Sequence, residues 1–451
     1  MDQTLIDTTL EQIRLALVGG KLDDAIRALT GLHPADRADA FSDLPDDTQA
    51  RLLPRLDVGS AADLLEEMED EEASDLAEAL PVEALADVLD EMEPDEAANI
   101  LGDLKPEQAQ DVLAQMDEAD EVRPLLAHPD ETAGGQMTTS FIALRRFTTS
   151  QQAIDFLRQL DPDQETPYYL YVIDRYQKLI GIVGLRELVL SQPETTMETI
   201  MDRNVISVPA GTDQEEAART MTRYDLASLP VVDAEGRLIG VITYDDIVDV
   251  IEEEATEDIY RLSGTSSASD LGVWSPIGLN VRRRLPWLVF NLFTAFLAAS
   301  VISIFEGTIA RLAALAVFQS IVAGEGGNAG TQALALMVRG IALGEVELKD
   351  VWRAIGRELL IGILHGLTIG LLVGIGAYLW RGNFWLGAVL GMAMIGNLLA
   401  AGMAGTLVPL SLKALKLDPA LASAVIVTTV TDTVGFGLFL GLATAFLPLL
   451  A

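Results

Sequence analysis

The chain has 451 residues, 50% of them hydrophobic, and a formal net charge of −38 from 68 acidic and 30 basic side chains. That length allows about three domains, and the absence of cysteine excludes a disulfide scaffold, a thiolate metal site and a cysteine nucleophile. Three histidines argue against a His-rich zinc site, and the acidity argues against nucleic-acid binding, which needs a basic stripe.

The average hides a split. Residues 1–270 hold 60 acids and 19 bases, a net −41, whereas the rest holds eight acids and eleven bases, a net +3. An acidic soluble half is therefore joined to an apolar one. Met1–Leu10 is polar and acidic, so no secretory signal is expected there.

In chain order, the first feature is a twelve-residue repeat. Leu44, Leu56, Met68, Leu80, Met92, Leu104 and Met116 mark it, and Pro81, Pro94 and Pro106 fit first-turn helix positions. Short helices stacked as a small superhelical solenoid are predicted. A longer repeat follows over 137–251. Met137-Thr-Thr is echoed by Met201-Asp-Arg. Tyr171-Val-Ile-Asp174 and Lys178–Val183 are echoed by Pro230-Val-Val-Asp233 and Arg237–Ile242. The β-branched runs predict strands, and the Asp/Gly segments between them predict hairpin turns. With Leu229–Gly240 in view, this segment resembles a tandem pair of cystathionine-β-synthase (CBS) domains, a ligand-sensing module. Asp245–Arg261 then carries eight carboxylates at helical spacing. Acids four apart repel, so such a helix wants cations. Ser263–Asp270 reads as a flexible link.

The apolar half predicts five membrane spans, near 285–305, 310–338, 357–380, 384–411 and 420–447, each near the ~20 residues a bilayer core requires. With the acidic half inside, nine Lys and Arg fall on the cytoplasmic side and two (Arg311, Arg381) outside, which puts the C-terminus outside. Asp432, ringed by Thr428, Thr429, Thr431 and Thr433, is a mid-span carboxylate and a candidate cation site. Oxygen donors around one carboxylate suit a hard cation that keeps part of its water, as magnesium does. In the second span, Gly324–Gln332 predicts a broken helix lining a cavity, with Asn328, Thr331 and Gln332 as oxygen donors. Glu325 is read either as a pore-mouth carboxylate or as facing the outer interface. Asn397 is read as an interhelical hydrogen-bonder, with pore lining as the second role. His365 is read as a packing residue and Glu306 as an outer-interface residue.

Taken together, the chain resembles the MgtE-type magnesium channels. Glu254-Ala-Thr-Glu-Asp-Ile259, Gly326–Gln332 followed by Arg339, and the Thr/Asp432/Gly435 segment carry the resemblance. It implies a multidomain membrane protein with an all-α superhelical N domain over 1–132 and an α/β tandem CBS pair over 133–250. An acidic connecting (plug) helix and linker over 251–272 and a five-helix transmembrane domain over 273–451 complete it. It further implies a homodimer in a cell membrane, with magnesium both transported and regulatory. Asp432 stands at the selecting position. Asp95, Glu215, Asp225, Asp246, Asp249, Glu254, Glu257 and Asp258 match regulatory positions. The family pairs two acids one turn apart in the N domain; here the partner of Asp95 is Asn99. Some members bind ATP at the CBS pair. Tyr169, Arg186 and Pro230 match those positions, while Leu226 stands where an aromatic would flank the adenine.

Rival readings are an ion-coupled secondary transporter of magnesium, cobalt or manganese, in which glycine-broken spans occur, and a membrane-anchored CBS sensor protein. No enzyme is expected, because no Ser/His/Asp set, Walker loop or second intramembrane aspartate is found. Adaptation to high salt is another origin for the acidity.

Overall fold

The twelve-residue period becomes a run of short helices, from Pro34–Ser42 to Pro106–Leu113, preceded by Gln3–Val18 and Leu22–Leu29. The structure, a computed structural model, describes residues 3–19, 21–159, 169–263, 275–421 and 423–450. It divides into two units, 1–251 and 252–451. Of the seven repeat markers, Leu56 is partly buried and the other six are buried, because each short helix covers its apolar face with its neighbours. Pro94 and Pro106 open their helices at the first turn, where a missing N–H costs nothing. Pro81 sits one position earlier than expected, as the N-cap.

The second repeat folds as two three-stranded sheets. β1 (Ala143–Arg145) pairs in parallel with β2 (Tyr169–Ile173), which pairs antiparallel with β3 (Leu179–Gly184). β4 (Val208–Pro209), β5 (Ser228–Val232) and β6 (Leu238–Thr243) repeat that order. Even the register shift recurs, between Val172 and Ile173 and between Val231 and Val232. The hairpin turns need a left-handed residue at the same place: Gly236 at φ 79° and Gln177 at φ 64°. The two halves interlock. A Cβ on Gly181 would lie 2.5 Å from the Met201 sulfur, and one on Gly240 2.4 Å from the Met137 sulfur. Met137, which opens the first sequence repeat, therefore packs on the second sheet, and Met201 packs on the first.

The acidic helix runs without a break over Tyr244–Leu262. All of the expected flexible link except Ser263 lies outside the described residues. The second unit holds five long helices: Ile277–Ile304, Ala314–Ala342, Val351–Arg381, Phe384–Ala414 and Ser423–Ala445. Four are long and apolar enough to cross a membrane, and Ala314–Ala342, with its polar Gly324–Gln332 stretch, is the exception. Contrary to expectation, that stretch does not break the helix. Its glycines serve contact instead: a Cβ on Gly330 would meet the Val427 side chain at 2.6 Å. The third and fourth long helices approach as closely. Gly366, Gly370 and Gly374 lie on Ile395, Gly391 and Gly387, and a Cβ on Gly387 would stand 2.3 Å from the Gly374 carbonyl oxygen.

Candidate cation sites

In the first unit the carboxylates gather around Asp95. It lies in the first turn of Pro94–Asp103 and is buried, at 5% exposure. Its Oδ1 accepts no hydrogen bond among the described residues, while the Thr138 hydroxyl bonds to the carboxylate. Burial pushes its pKa well up, and the charges of Asp246 and Glu93 add to the effect. Its neighbours respond alike. Burial raises Glu96 to about 9, with Asp95, Asp70, Asp246 and Glu66 nearby. Glu93, which keeps an exposed face, rises less, to about 7, through burial and then Glu66, Asp246 and Asp245. Glu66 and Asp70 also shift up, burial first; Asp103, Glu69, Asp130 and Asp249 act further on Asp70.

Asp246 comes from the far end of the unit. At the start of Tyr244–Leu262 its Oδ2 accepts the Thr243 N–H at 3.1 Å and the Thr243 hydroxyl, which is the returning half of a capping box. These bonds favour its charged form, yet burial, together with Asp245 and Asp249, wins and raises its pKa. Asp95, Asp246 and Asp249 are thus drawn toward one acidic cluster, joined by Glu66, Asp70, Glu93 and Glu96.

Glu215 and Asp225 are not brought to one point. They occupy the first turn and the C-cap of the 11-residue helix Gln214–Tyr224, about 15 Å apart along its axis. Asp225 takes a left-handed φ of 51° and faces a cleft of about 540 Å³ between the two sheets. Tyr169, Pro230 and Leu226 also line that cleft, and Arg186 does not. Among the described residues, no three His, Cys, Asp or Glu side chains converge as a ready-made metal cage.

In the second unit, Arg261 ties the acidic helix to the loop before the last long helix. Its guanidinium bonds Glu257, one turn earlier, and Asp418. Burial raises neighbouring Asp258 to about 6, with Asp418 and Glu254 adding and Arg261 opposing. Glu254, Glu257 and Asp258 all keep partial exposure.

Asp432 is the single acid of Ser423–Ala445 and is partly exposed on its own chain. Thr428, one turn earlier on the same face, is also partly exposed. The Thr428 hydroxyl donates to the Ala424 carbonyl at 2.9 Å, and that of Thr429 to Val425 at 2.6 Å. Spending the proton on the helix leaves the oxygen lone pairs for a cation. Thr431 is different: it is fully buried, with its methyl against the position a Gly330 Cβ would take, 3.4 Å away. It packs between helices rather than lining an open face. The Thr433 Oγ is buried and makes no hydrogen bond among the described residues.

On Ala314–Ala342 the faces divide. Gly326 and Gly330 point into the bundle, whereas Asn328, Thr331 and Gln332 are exposed and Glu325 partly so. A Cβ on Gly327 would lie 3.9 Å from the Thr428 methyl, so this polar helix lies directly against the Asp432 helix. Asn397 is fully buried, and its amide donates to the Val322 carbonyl at 2.8 Å. It lines no open face.

The profile of the MgtE divalent cation transporters matches residues 319–442, that of the MgtE intracellular N domain matches 32–131, and that of the CBS domain matches 197–253. A magnesium transporter, MgtE, of Thermus thermophilus is 39% identical over 72% of this chain and 72% of its own length. One from Enterococcus faecalis is 38% identical over 73% and 72%. The chain belongs to the MgtE family. Among solved structures, the cytosolic domain of the Mg2+ channel MgtE in complex with ATP is 34% identical, with a TM-score of 0.50. It covers 53% of this chain and 99% of that one. The soluble part of a magnesium transporter is 31% identical, with the same TM-score, over 55% and 99%.

For this MgtE-family chain, sequence reasoning missed Glu66, Asp70, Glu93 and Glu96 around Asp95, and the Arg261–Asp418 pair. Within the long apolar helices it missed Glu358, whose Oε2 lies 3.5 Å from where a Gly402 Cβ would be. A usable signal existed for the glycine contact: Gly362, Gly366, Gly370 and Gly374 recur every four residues, one stripe of a helix. The acids around Asp95 carried no such signal, because sixty acids crowd this half.

Proposed function

We propose that this chain is a magnesium channel of a cell membrane that works as a homodimer. All five long helices cross the bilayer, the acidic unit is cytoplasmic and the C-terminus lies outside. Asp432 selects the ion. The observation that carries this reading is the polar face left uncovered by the chain itself: Asn328, Thr331, Gln332 and part of Asp432. Such groups cannot face hydrocarbon without large cost. Set against a second copy around water, they become ligands for a hydrated cation. The same face explains why Ala314–Ala342 is too polar to pass as an ordinary span.

The continuous second helix removes the broken span that recommended a coupled secondary transporter. For gating, the buried carboxylates around Asp95 and the repulsion between Asp258 and Asp418 support closure by cytoplasmic magnesium. When ionised they repel, and a divalent cation offsets that repulsion. A magnesium ion keeps several waters and takes one or two carboxylates, so the donors fit without a three-carboxylate cage. A ligand shifts such a gate only by its differential affinity for the two states. The CBS cleft with Tyr169 and Pro230 is proposed to take a nucleotide, as the ATP-bound MgtE cytosolic domain does.

The test is magnesium uptake into liposomes holding purified Asp432→Ala. Flux falls to the level of empty liposomes. Uptake at the wild-type rate contradicts the pore assignment.

A further inference from the structure

Asn397 is the centre of a contact that joins the two polar-faced helices. It projects from Phe384–Ala414 and is fully buried. Two glycines make room for it. A Cβ on Gly326, in Ala314–Ala342, would stand 2.3 Å from Asn397 Nδ2; one on Gly435, in Ser423–Ala445, would stand 2.7 Å from the same atom. No side chain fits at those distances, so each helix presents a slot and Asn397 fills both. Its Nδ2 donates to the Val322 carbonyl at 2.8 Å, one turn before Gly326. The opposite amide orientation would set two oxygens together, so the bond fixes how the group points. Its Oδ1 accepts no hydrogen bond among the described residues, although it is buried. A buried, half-satisfied amide is a costly way to fill space that a Leu or Met would fill without penalty.

We propose that Asn397 is a positioning residue that sets the register of the Ala314–Ala342 and Ser423–Ala445 helices and thereby tunes cation selection. Gly326 directly follows Glu325 and lies two residues before Asn328. Gly435 lies three residues beyond Asp432. A peg held in both slots fixes the height of the Asp432 carboxylate against the Asn328 face. A one-turn slip would move it by about 5 Å, more than the reach of a carboxylate to a hydrated ion. The inference rests on the pore reading above, in which both helices line the ion path.

The experiment uses the full chain in liposomes and reads magnesium uptake against concentration, with calcium and cobalt as competitors. Asn397→Ala raises the half-saturating magnesium concentration about three- to tenfold, the range of one interhelical hydrogen bond, and weakens discrimination against the competitors. Gly435→Ala is worse, because its methyl meets the peg. Adding Asn397→Ala to Gly435→Ala recovers part of the uptake. An Asn397→Ala protein with wild-type half-saturation and competition overturns the inference, and so does a double variant whose losses simply add. If Asn397→Ala does not elute as folded protein, Asn397→Ser in the Gly435→Ala background takes its place: recovery supports the peg and no recovery overturns it. Asp432→Asn in the same liposomes separates the two ideas. Normal uptake there sinks the pore reading itself, whereas its loss beside an unchanged Asn397→Ala sinks only the peg.

Discussion

The two units handle carboxylates in opposite ways. The first gathers many: Glu66, Asp70, Glu93, Asp95, Glu96 and Asp246 crowd one region, and burial, with repulsion from neighbouring acids, raises all of their pKa values. Along its apolar helices the second isolates them: Asp432 stands as the single acid of a 23-residue helix, with hydroxyls whose protons are already spent on the backbone. In the crowd the repulsion is shared among many acids, and the proposed gating rests on a cation offsetting it. Along an apolar helix, position does what number does elsewhere.

The sharpest way to break this comparison is to remove charge from the crowd and from the acidic helix that continues beyond it. Replacing Asp246 and Asp249 by Asn and Glu257 by Gln should leave the channel open at internal magnesium levels that close the wild type. The closing concentration shifts about tenfold or more, the scale of a few kcal/mol of coupling. Inhibition identical to the wild type in flux assays removes these residues from the gate.

A smaller effect sharpens the electrostatic half. Glu93 and Glu96 have folded-state pKa values of about 7 and about 9, above their ordinary value of 4.5. The folded state therefore binds protons more tightly than the unfolded chain. The stability this gives is complete below pH 4.5 and is lost as pH rises through 7 and then 9. Without divalent ions, the melting temperature of the acidic unit in the full protein should fall between pH 5 and pH 8. Magnesium should restore it at pH 8 and do little at pH 5. A melting temperature equally insensitive to magnesium at both pH values counts against a cation site in the cluster.

The smallest effect concerns the CBS cleft. Leu226 lines it beside Tyr169 and Pro230. Leu226→Phe supplies a stacking face and should tighten ATP two- to tenfold, about what an aromatic contact contributes. Calorimetry that finds no change removes adenine from this wall.

Much of the fold was legible because it is periodic. Twelve-residue markers, a 59-residue echo and long apolar runs each follow from burying one face of a local element. What was hidden is what the chain brings together from afar. Asp95 and Asp246 meet across 151 positions, and nothing near either residue announces it. The glycines of Ala314–Ala342 were misread for a physical reason. A missing Cβ permits both a bent backbone and a close contact, and only the partner decides which. Here the partners of Gly326 and Gly330 are Asn397 and Val427, and the helix stays intact. Arg186, matched to a nucleotide position, lies off the cleft wall although Gly184 and Glu187 on either side line it, because successive helical residues point about 100° apart.

The most direct test of the central claim, that the acidic unit senses the ion the apolar unit conducts, is limited proteolysis of the full protein across a magnesium titration. Calcium, and sodium at matched ionic strength, serve as controls. The account predicts protection at millimolar magnesium that sodium does not reproduce. Protection that follows ionic strength alone contradicts it, and assigns the sixty acids to salt tolerance instead of gating.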